Sequence, residues 1–413
     1  MSEWPIVRFG DLAAPERASF AMGPFGSKIT KENYVPTGGI PVVRGVNLGR
    51  GVFTDSDFVF IAAEKADELS SANVAPGDLI FTHRGTIGQV SMIPRRPRFN
   101  RYVIGSSQVK ARLDESIAVS EFYYYWFRSP KGQHAILANV STVGVPGLAT
   151  PLTTIRNLQV PLPSKAEQLA ISGFLGALDD KIAINQRIAA TYEALLVAKF
   201  LSNGWDEEPV NPQDGVPLSA LVDFNPAYPR PVTQDAVYVD MASIPTSSGR
   251  ISSWTRRPPT SGMRFRNGDT VMARITPCLE NGKTGFVDFM EDREVGVGST
   301  EFIVLRARPG VPAHFTYLIA RSPRFRQHAI SNMVGTSGRQ RCPVDVLPTF
   351  VIRRPNQEAL RELGVEAEAA FAHMRSLDSE SAALAGLRDT LLPKLIYGEM
   401  RIKDAERLLS AVV

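Results

Sequence analysis

Glycine recurs beside cationic and amide side chains in several short stretches of this chain. Gly26-Ser27-Lys28, Arg44-Gly45-Val46-Asn47 and Thr82-His83-Arg84-Gly85 come first, followed closely by Arg95, Arg96, Arg98 and Arg101. A second group has Arg256, Arg257, Arg264 and Arg266, then Arg274, Asn281 and Lys283, and finally Gly335-Thr336-Ser337-Gly338-Arg339-Gln340-Arg341. An arginine can donate two hydrogen bonds to the edge of guanine, and an asparagine or glutamine can do the same for adenine. Lysine and hydroxyl side chains suit phosphate oxygens, and glycine lets the backbone come close. Any one of these residues reads equally well as a solvated surface charge. The set, present twice, favours contact with DNA.

Other chemistries are poorly supplied. Asn225-Pro226-Ala227-Tyr228 resembles the N-P-P-Y sequence that holds an adenine amino group, but its third residue differs and no glycine-rich strand–turn–helix accompanies it, so it reads as a turn. Asp269 with Glu280-Asn281-Gly282-Lys283 has one residue too many for a nuclease E-x-K centre, and there is no phosphate-cradling Walker loop. His83, His134, His314, His328 and His373 show no metal-ligand spacing. Cys278 and Cys342 are too few for a metal site and read as reduced packing residues. The expectation is no catalytic residue, no cofactor and no metal in this chain.

At 413 residues with 44% apolar content, the chain exceeds one core and calls for two or three domains. It has neither a long uncharged apolar run nor a basic-then-apolar start, which points to a cytoplasmic protein away from membranes. The net charge is only +4, with the basic excess in residues 1–160 and 206–355.

The elements that must position the basic loops are repeated. Arg128-Ser129-Pro130 recurs as Arg321-Ser322-Pro323, Gly77-Asp78 as Gly268-Asp269, and Gly105-Ser106 as Gly298-Ser299, at offsets of 191 to 193 residues. His134 and His328 fall at equivalent places, implying a shared packing or capping role. Gly39–Val43 and Asp78–Phe81 read as strands. Val119–Asn139, rich in Phe, Tyr and Trp, reads as helical, with its rings in the core.

Ser164–Phe200 reads as one long helix, opened by a Ser164/Glu167 capping box. Ile171, Leu175, Leu178, Ile182, Asn185, Ala189, Tyr192 and Leu195 step by four and three, which is a coiled-coil seam. A second helix over Asn356–Leu392 carries Leu360, Leu363, Ala367, Ala370, Met374, Leu377, Ser381 and Leu384 in the same rhythm, with Pro393 and Gly398 marking its end. The chain traverses a whole globular unit between them, which permits an antiparallel pair. Asn185 and Ser381 are polar seam residues that can fix register.

This arrangement resembles the specificity subunit of a type I restriction–modification system. The resemblance is carried by Met272-Ala273-Arg274-Ile275-Thr276-Pro277-Cys278-Leu279-Glu280-Asn281-Gly282-Lys283, by Gly298-Ser299-Thr300-Glu301-Phe302, and by Pro163–Asp180 with Glu167-Gln168 and Leu178-Asp179. It implies an α+β fold with two mixed α/β target-recognition domains in tandem, separated by a long antiparallel coiled coil of two helices and related by an internal pseudo-twofold repeat. The expected divisions are residues 1–163 for the first recognition domain, 164–203 for the central helix, 204–355 for the second domain, 356–398 for the C-terminal helix and 399–413 for a tail.

The resemblance further implies that each domain reads one half of a split target in double-stranded DNA. The helices would set the spacing and dock two methyltransferase subunits, with Asp179, Asp180, Lys181, Gln186 and Arg187 on their outer faces. S-adenosylmethionine would belong to those partners, and ATP and Mg to a restriction/translocase partner. The residues expected at DNA are Lys28, Arg44, Asn47, Arg84, Arg96, Arg98, Arg101, Arg256, Arg257, Arg264, Arg266, Arg274, Asn281, Lys283, Arg339 and Arg341. Two other readings remain open, a methylation-only system and a coiled-coil scaffold that binds protein; an autonomous methyltransferase is disfavoured by the missing cofactor loop.

Overall fold

The computed structural model describes residues 4–49, 52–138, 140–141, 146–259, 261–336 and 338–409. The chain divides into two compact units, one of Met1–Lys181 with Ala383–Val413 and the other of Ile182–Ala382. Each long helix therefore has residues in both units.

The repeat read in the sequence reappears strand by strand. In the first unit Ile6–Arg8 pairs with Gln159–Pro161, and a four-stranded antiparallel sheet runs in the order Phe20–Met22, Gln108–Ala111, Leu79–Thr82, Val90–Met92. In the second unit Gly215–Pro217 pairs with Val351–Arg353, and the order is Val222–Phe224, Phe302–Ala307, Asp269–Ala273, Thr284–Phe286. A further mixed sheet in each contains one parallel pair, Ile40–Val43 with Tyr102–Ile104 and Ala236–Val239 with Gly296–Gly298.

The repeated Gly-Asp dipeptide has a physical cause. Gly77 and Gly268 turn the chain at φ +87° and +85°, a region that side chains disfavour. The aspartate that follows is buried and held by an arginine of the neighbouring strand. Arg112 grips Asp78 with two bonds of 2.8 Å, and Arg306 reaches Asp269 at 2.6 Å. Backbone N–H groups of Ala75 and Arg266 complete the two carboxylates.

The aromatic segment is two helices, Ser120–Arg128 and Pro130–Leu137, because Pro130 cannot continue the first and Ser129 caps the second. Phe122, Tyr123, Tyr125, Trp126 and Phe127 are all buried. The second unit repeats this with Ala313–Arg321 and Pro323–Ser331. The start of each second helix is met by chain leaving a long helix. Tyr397 Oη accepts from Lys131 N at 2.9 Å, and Asp206 accepts from Ser322 Oγ at 2.7 Å and Arg324 N at 3.0 Å. This accounts for the repeated Ser-Pro; the preceding arginines differ, Arg128 facing Tyr124 and Asp179 and Arg321 the carbonyls of Thr246 and Gly282. The two equivalent histidines differ in what they do, since His328 faces the Val346 carbonyl at 3.0 Å whereas His134 is exposed.

The central helix spans Lys165–Ser202. Glu167 accepts from Ser164 N at 3.0 Å, Glu167 N donates to Ser164 Oγ at 3.3 Å, and the bond from Ser164 holds the Glu167 carboxyl below its usual range. Gln168 is fully buried, accepting from Val119 N and donating to the carbonyls of Ile117 and Pro163. The Glu167-Gln168 pair thus caps the helix and ties its first turn to the first unit.

Ile171, Leu175, Leu178 and Asn185 are buried on the seam, and Ile182 is half-buried. Tyr192 and Leu195, expected there, are exposed at 36% and 61%. Glu193 and Leu196 occupy the buried positions instead, and the Glu193 carboxylate accepts from Tyr317 Oη. A buried acid at a seam position is invisible to apolar periodicity.

The C-terminal helix, Gln357–Ile396, buries Leu360, Leu363, Met374, Leu377 and Leu384. It runs through Pro393 rather than ending there. An interior proline costs about 3 kcal/mol, but Leu395 and Ile396 beyond it are fully buried, and each such side chain contributes about 1.5–3 kcal/mol. Part of the expected tail is also ordered: Ile402–Leu409 is a helix whose Ala405 joins the core of the first unit.

Asn185 sits on the seam with its Nδ2 donating to Glu380 at 2.7 Å, while its buried Oδ1 has no partner. Asn185→Leu should therefore raise the urea unfolding midpoint, by about 1 kcal/mol of stability. A lowered midpoint would show that the amide contributes more than its orphaned oxygen costs.

Candidate nucleic-acid interface

In the first unit, four loops meet where the strands Phe20–Met22, Ile40–Val43 and Leu79–Thr82 end. Gly23 N donates to Gln108 O at 2.9 Å, Gly105 N to Val43 O at 2.8 Å, and His83 N to Ser107 O at 2.9 Å. His83 Nε2 donates to Ser106 O at 3.1 Å, and burial lowers the ring's pKa, which keeps it neutral. Gln89 accepts from Thr82 Oγ1 and donates to Gly49 O. Lys28 and Arg84 lie exposed on this frame, with no acidic partner among the described residues. Arg44 is half-buried; one Nη donates to Asp57 O at 3.1 Å and its Nε has no partner.

The same frame recurs in the second unit. Arg274 N donates to Glu301 O at 2.9 Å, as His83 N does to Ser107 O, and Cys342 N donates to Arg274 O, as Leu148 N does to His83 O. Arg274 is half-buried with an unpartnered Nε, and the side chains of Asn281 and Arg339 are exposed. Lys283 Nζ is tied to the Met241 carbonyl at 2.7 Å. Arg341 grips Glu301 at 2.8–3.0 Å, holding that carboxyl below its usual range. Ser337 of this loop lies outside the described residues.

The remaining expected DNA residues lie elsewhere or are occupied. Asn47 is buried, donating to Ser56 O at 2.8 Å and accepting from Arg44 N, so its amide is engaged in shaping a loop. Arg96, Arg98 and Arg101 are at the opposite strand ends from Lys28 and Arg84, beyond Met92 and before Tyr102. Arg101 bonds Asn73 at 2.6 Å and Asp67 at 2.8 Å; Arg98 lies over Phe99; Arg96 is exposed. Arg95 is held by Glu115 and Glu121.

Arg256, Arg257, Arg264 and Arg266 likewise gather at the far strand ends from Arg274. Arg256 pairs with Glu294 at 2.9 Å, and Arg257 covers Tyr238 at 3.3 Å. Arg264 donates to the Tyr228 carbonyl and Arg266 covers the Tyr228 ring, whose hydroxyl bonds the buried Asp269. Arg264 and Arg266 thus hold the Asn225–Tyr228 turn in place.

The central helix offers a second surface. Ile184, Ile188, Tyr192 and Leu195 are exposed at 46, 37, 36 and 61% and follow one another at helical spacing. Tyr192 and Leu195, expected on the seam, belong to this stripe together with Ile184 and Ile188. Of the outer-face residues, Asp180, Gln186 and Arg187 are exposed. Asp179 is turned inward, accepting from Tyr125 Oη at 2.7 Å and Arg388 at 2.5 Å. Among the described residues no helix is long and apolar enough to cross a membrane, and no three His, Cys, Asp or Glu side chains are grouped to hold a metal.

Residues 1–194 match the family model described as type I restriction modification DNA specificity domain. The chain is 28% identical over 216 residues to the type I restriction enzyme EcoEI specificity subunit of Escherichia coli, and 28% identical over 150 residues to the EcoAI specificity subunit of the same organism. Those matches cover 49% and 33% of this chain but only 36% and 25% of the two relatives, so the chain spans about a third or less of their lengths. In fold it is similar to the crystal structure of a type I restriction–modification system S subunit from M. genitalium, with a TM-score of 0.56 and 16% identity over 95% of this chain and 96% of that one. The family model thus covers the first 194 residues of the chain, and the similarity in fold extends along 95% of it.

Proposed function

We propose that this chain is the DNA-reading subunit of a type I restriction–modification complex and recognises a split target in double-stranded DNA. The observation that carries this reading is the recurrence, at equivalent strand ends of two repeated units, of loops bearing cations that form no ion pair among the described residues: exposed Lys28 and Arg84 in one, exposed Arg339 with the half-buried Arg274 near Glu301 in the other. Asn281 adds a donor–acceptor pair suited to adenine. Each unit then reads one half of the target, and the two shared helices hold the halves at a set spacing. Linked readers add their binding energies while enforcing that separation.

On this reading the chain catalyses nothing. Two methyltransferase subunits supply S-adenosylmethionine chemistry on adenine, and a restriction/translocase subunit supplies ATP- and Mg-dependent cleavage. The exposed stripe of Ile184, Ile188, Tyr192 and Leu195 supports helix-to-helix docking of such a partner. The protein acts in the cytoplasm, where its DNA is.

The test is co-expression with the methyltransferase subunits and mapping of methylated adenines in the host genome, which should reveal one bipartite sequence. Arg84→Ala or Arg274→Ala should weaken duplex binding by the assembled complex about tenfold and lower the slope of log affinity against log salt by about 1. Arg101→Ala and Arg264→Ala should lower the unfolding midpoint and leave that slope unchanged, because their charges are already engaged within the fold. Inserting about four residues into each long helix adds ~6 Å of rise, near two base pairs at about 3.4 Å each. Methylation mapping of that variant should show the same halves with a longer spacer; an unchanged spacer rules out the helices as the ruler.

A further inference from the structure

The turn after the strand Phe20–Met22 presents a side chain that the fold does not use. Phe25 is 75% exposed and stands against no other ring among the described residues. A single exposed apolar side chain is ordinary on a protein surface. This one differs in how firmly its turn is held and in where the turn lies.

Gly23 packs so tightly that a Cβ there would fall 1.8 Å from Gly105 O, and its N–H donates to Gln108 O. Pro24 is buried, and Lys28 N donates to Phe25 O at 2.8 Å, closing the short helical turn Gly26–Lys28. The backbone is thus pinned on both sides of a ring that is left in water. The Gly105-Ser106 segment holding Gly23 also accepts from His83, the neighbour of Arg84. Phe25 therefore shares a frame with Lys28 and Arg84, two cations without an ion pair among the described residues.

The repeat provides an internal control. In the second unit Asn225-Pro226-Ala227 follows the equivalent strand, and Asn225 N donates to Val304 O as Gly23 N does to Gln108 O. Ala227 is exposed at the place Phe25 occupies. A turn follows the strand in both units, but in the second the aromatic residue is Tyr228, buried against Arg266 and Asp269, whereas in the first the ring of Phe25 is left exposed.

Resting on the DNA-reading function above, we infer that Phe25 is an apolar wedge: it enters between bases of the half-target read by the first unit and partly unstacks them. Side chains of this kind, presented beside cations that grip the backbone, are how proteins kink a duplex. In the second unit Ala227 stands at the place of Phe25, so the wedge is not repeated there and the two halves of the target are distorted unequally.

The experiment uses the full complex with its methyltransferase subunits and synthetic duplexes of the sequence found by methylation mapping. 2-Aminopurine is placed at each position of both halves in turn. Apart from the target adenine of each half, which the methyltransferase subunits extrude, the wild-type complex should raise its fluorescence at one further step, in one half only. Phe25→Ala should abolish that rise and weaken binding about tenfold, while Phe25→Leu, which keeps apolar bulk, stays within about threefold of wild type. The exposure of Phe25 makes unfolding a poor explanation for any loss, and an unchanged melting curve of the variant chain checks this. Wild-type binding or an undiminished signal with Phe25→Ala overturns the wedge while leaving the DNA-reading function intact, provided Arg84→Ala loses binding in parallel. A host genome with no methylation dependent on this chain overturns both.

Discussion

The constraint on which the structure depends is that neither long helix can bury its apolar seam alone. Each solves this within both units. In the first, Ile171 and Leu175 of the central helix and Leu391 and Leu395 of the C-terminal helix share one core with Phe122, Tyr123 and Phe127. In the second, Leu196 and Phe200 share a core with Leu360, Leu363, Met374, Phe315 and Tyr317. The helices are not a separate rod to which domains are attached. Each unit owns part of both, and removing either helix would open both cores.

This sharing explains which parts of the sequence were readable. The seam residues Leu175, Leu178, Leu360 and Leu377 follow the period that burial imposes, and the Gly-Asp and Ser-Pro motifs recur because they make the same turn and the same docking contact twice. Misreadings fall where tertiary packing overrides a local rule. Pro393 looked like a stop, but the burial of Leu395 and Ile396 carries the helix through it. Tyr192 and Leu195 looked like seam because they are apolar, whereas the buried position belongs to Glu193, whose partner Tyr317 lies far away in sequence. No periodicity can reveal a hydrogen bond between such distant residues.

The candidate interface was readable only in outline, for a related reason. Clusters of arginine in a sequence do not tell whether each cation has an acid waiting for it. Arg101 and Arg256 resemble Arg84 in their local setting, yet Asp67 and Glu294 neutralise the first two. Asn47 resembles a base reader, but the loop it closes consumes its donors and acceptor. Burial and pairing separate the groups that hold the loops from the groups that the loops present.

The division has a consequence for how such a chain could select DNA. Its net charge is +4, and much of its arginine is internally paired, so counterion release by this chain alone supplies a small, sequence-independent affinity. Discrimination must then come from fit, at about 1–3 kcal/mol for each well-made base contact. Fit of that quality requires loops that do not adapt to the wrong sequence. The backbone bonds through Ser107 and Glu301, with the grip of Arg341 on Glu301, provide that stiffness on both frames. On the proposed function, weak general attraction and stiff readers together suit a protein that would find its target as part of a larger assembly and reject most of what it meets.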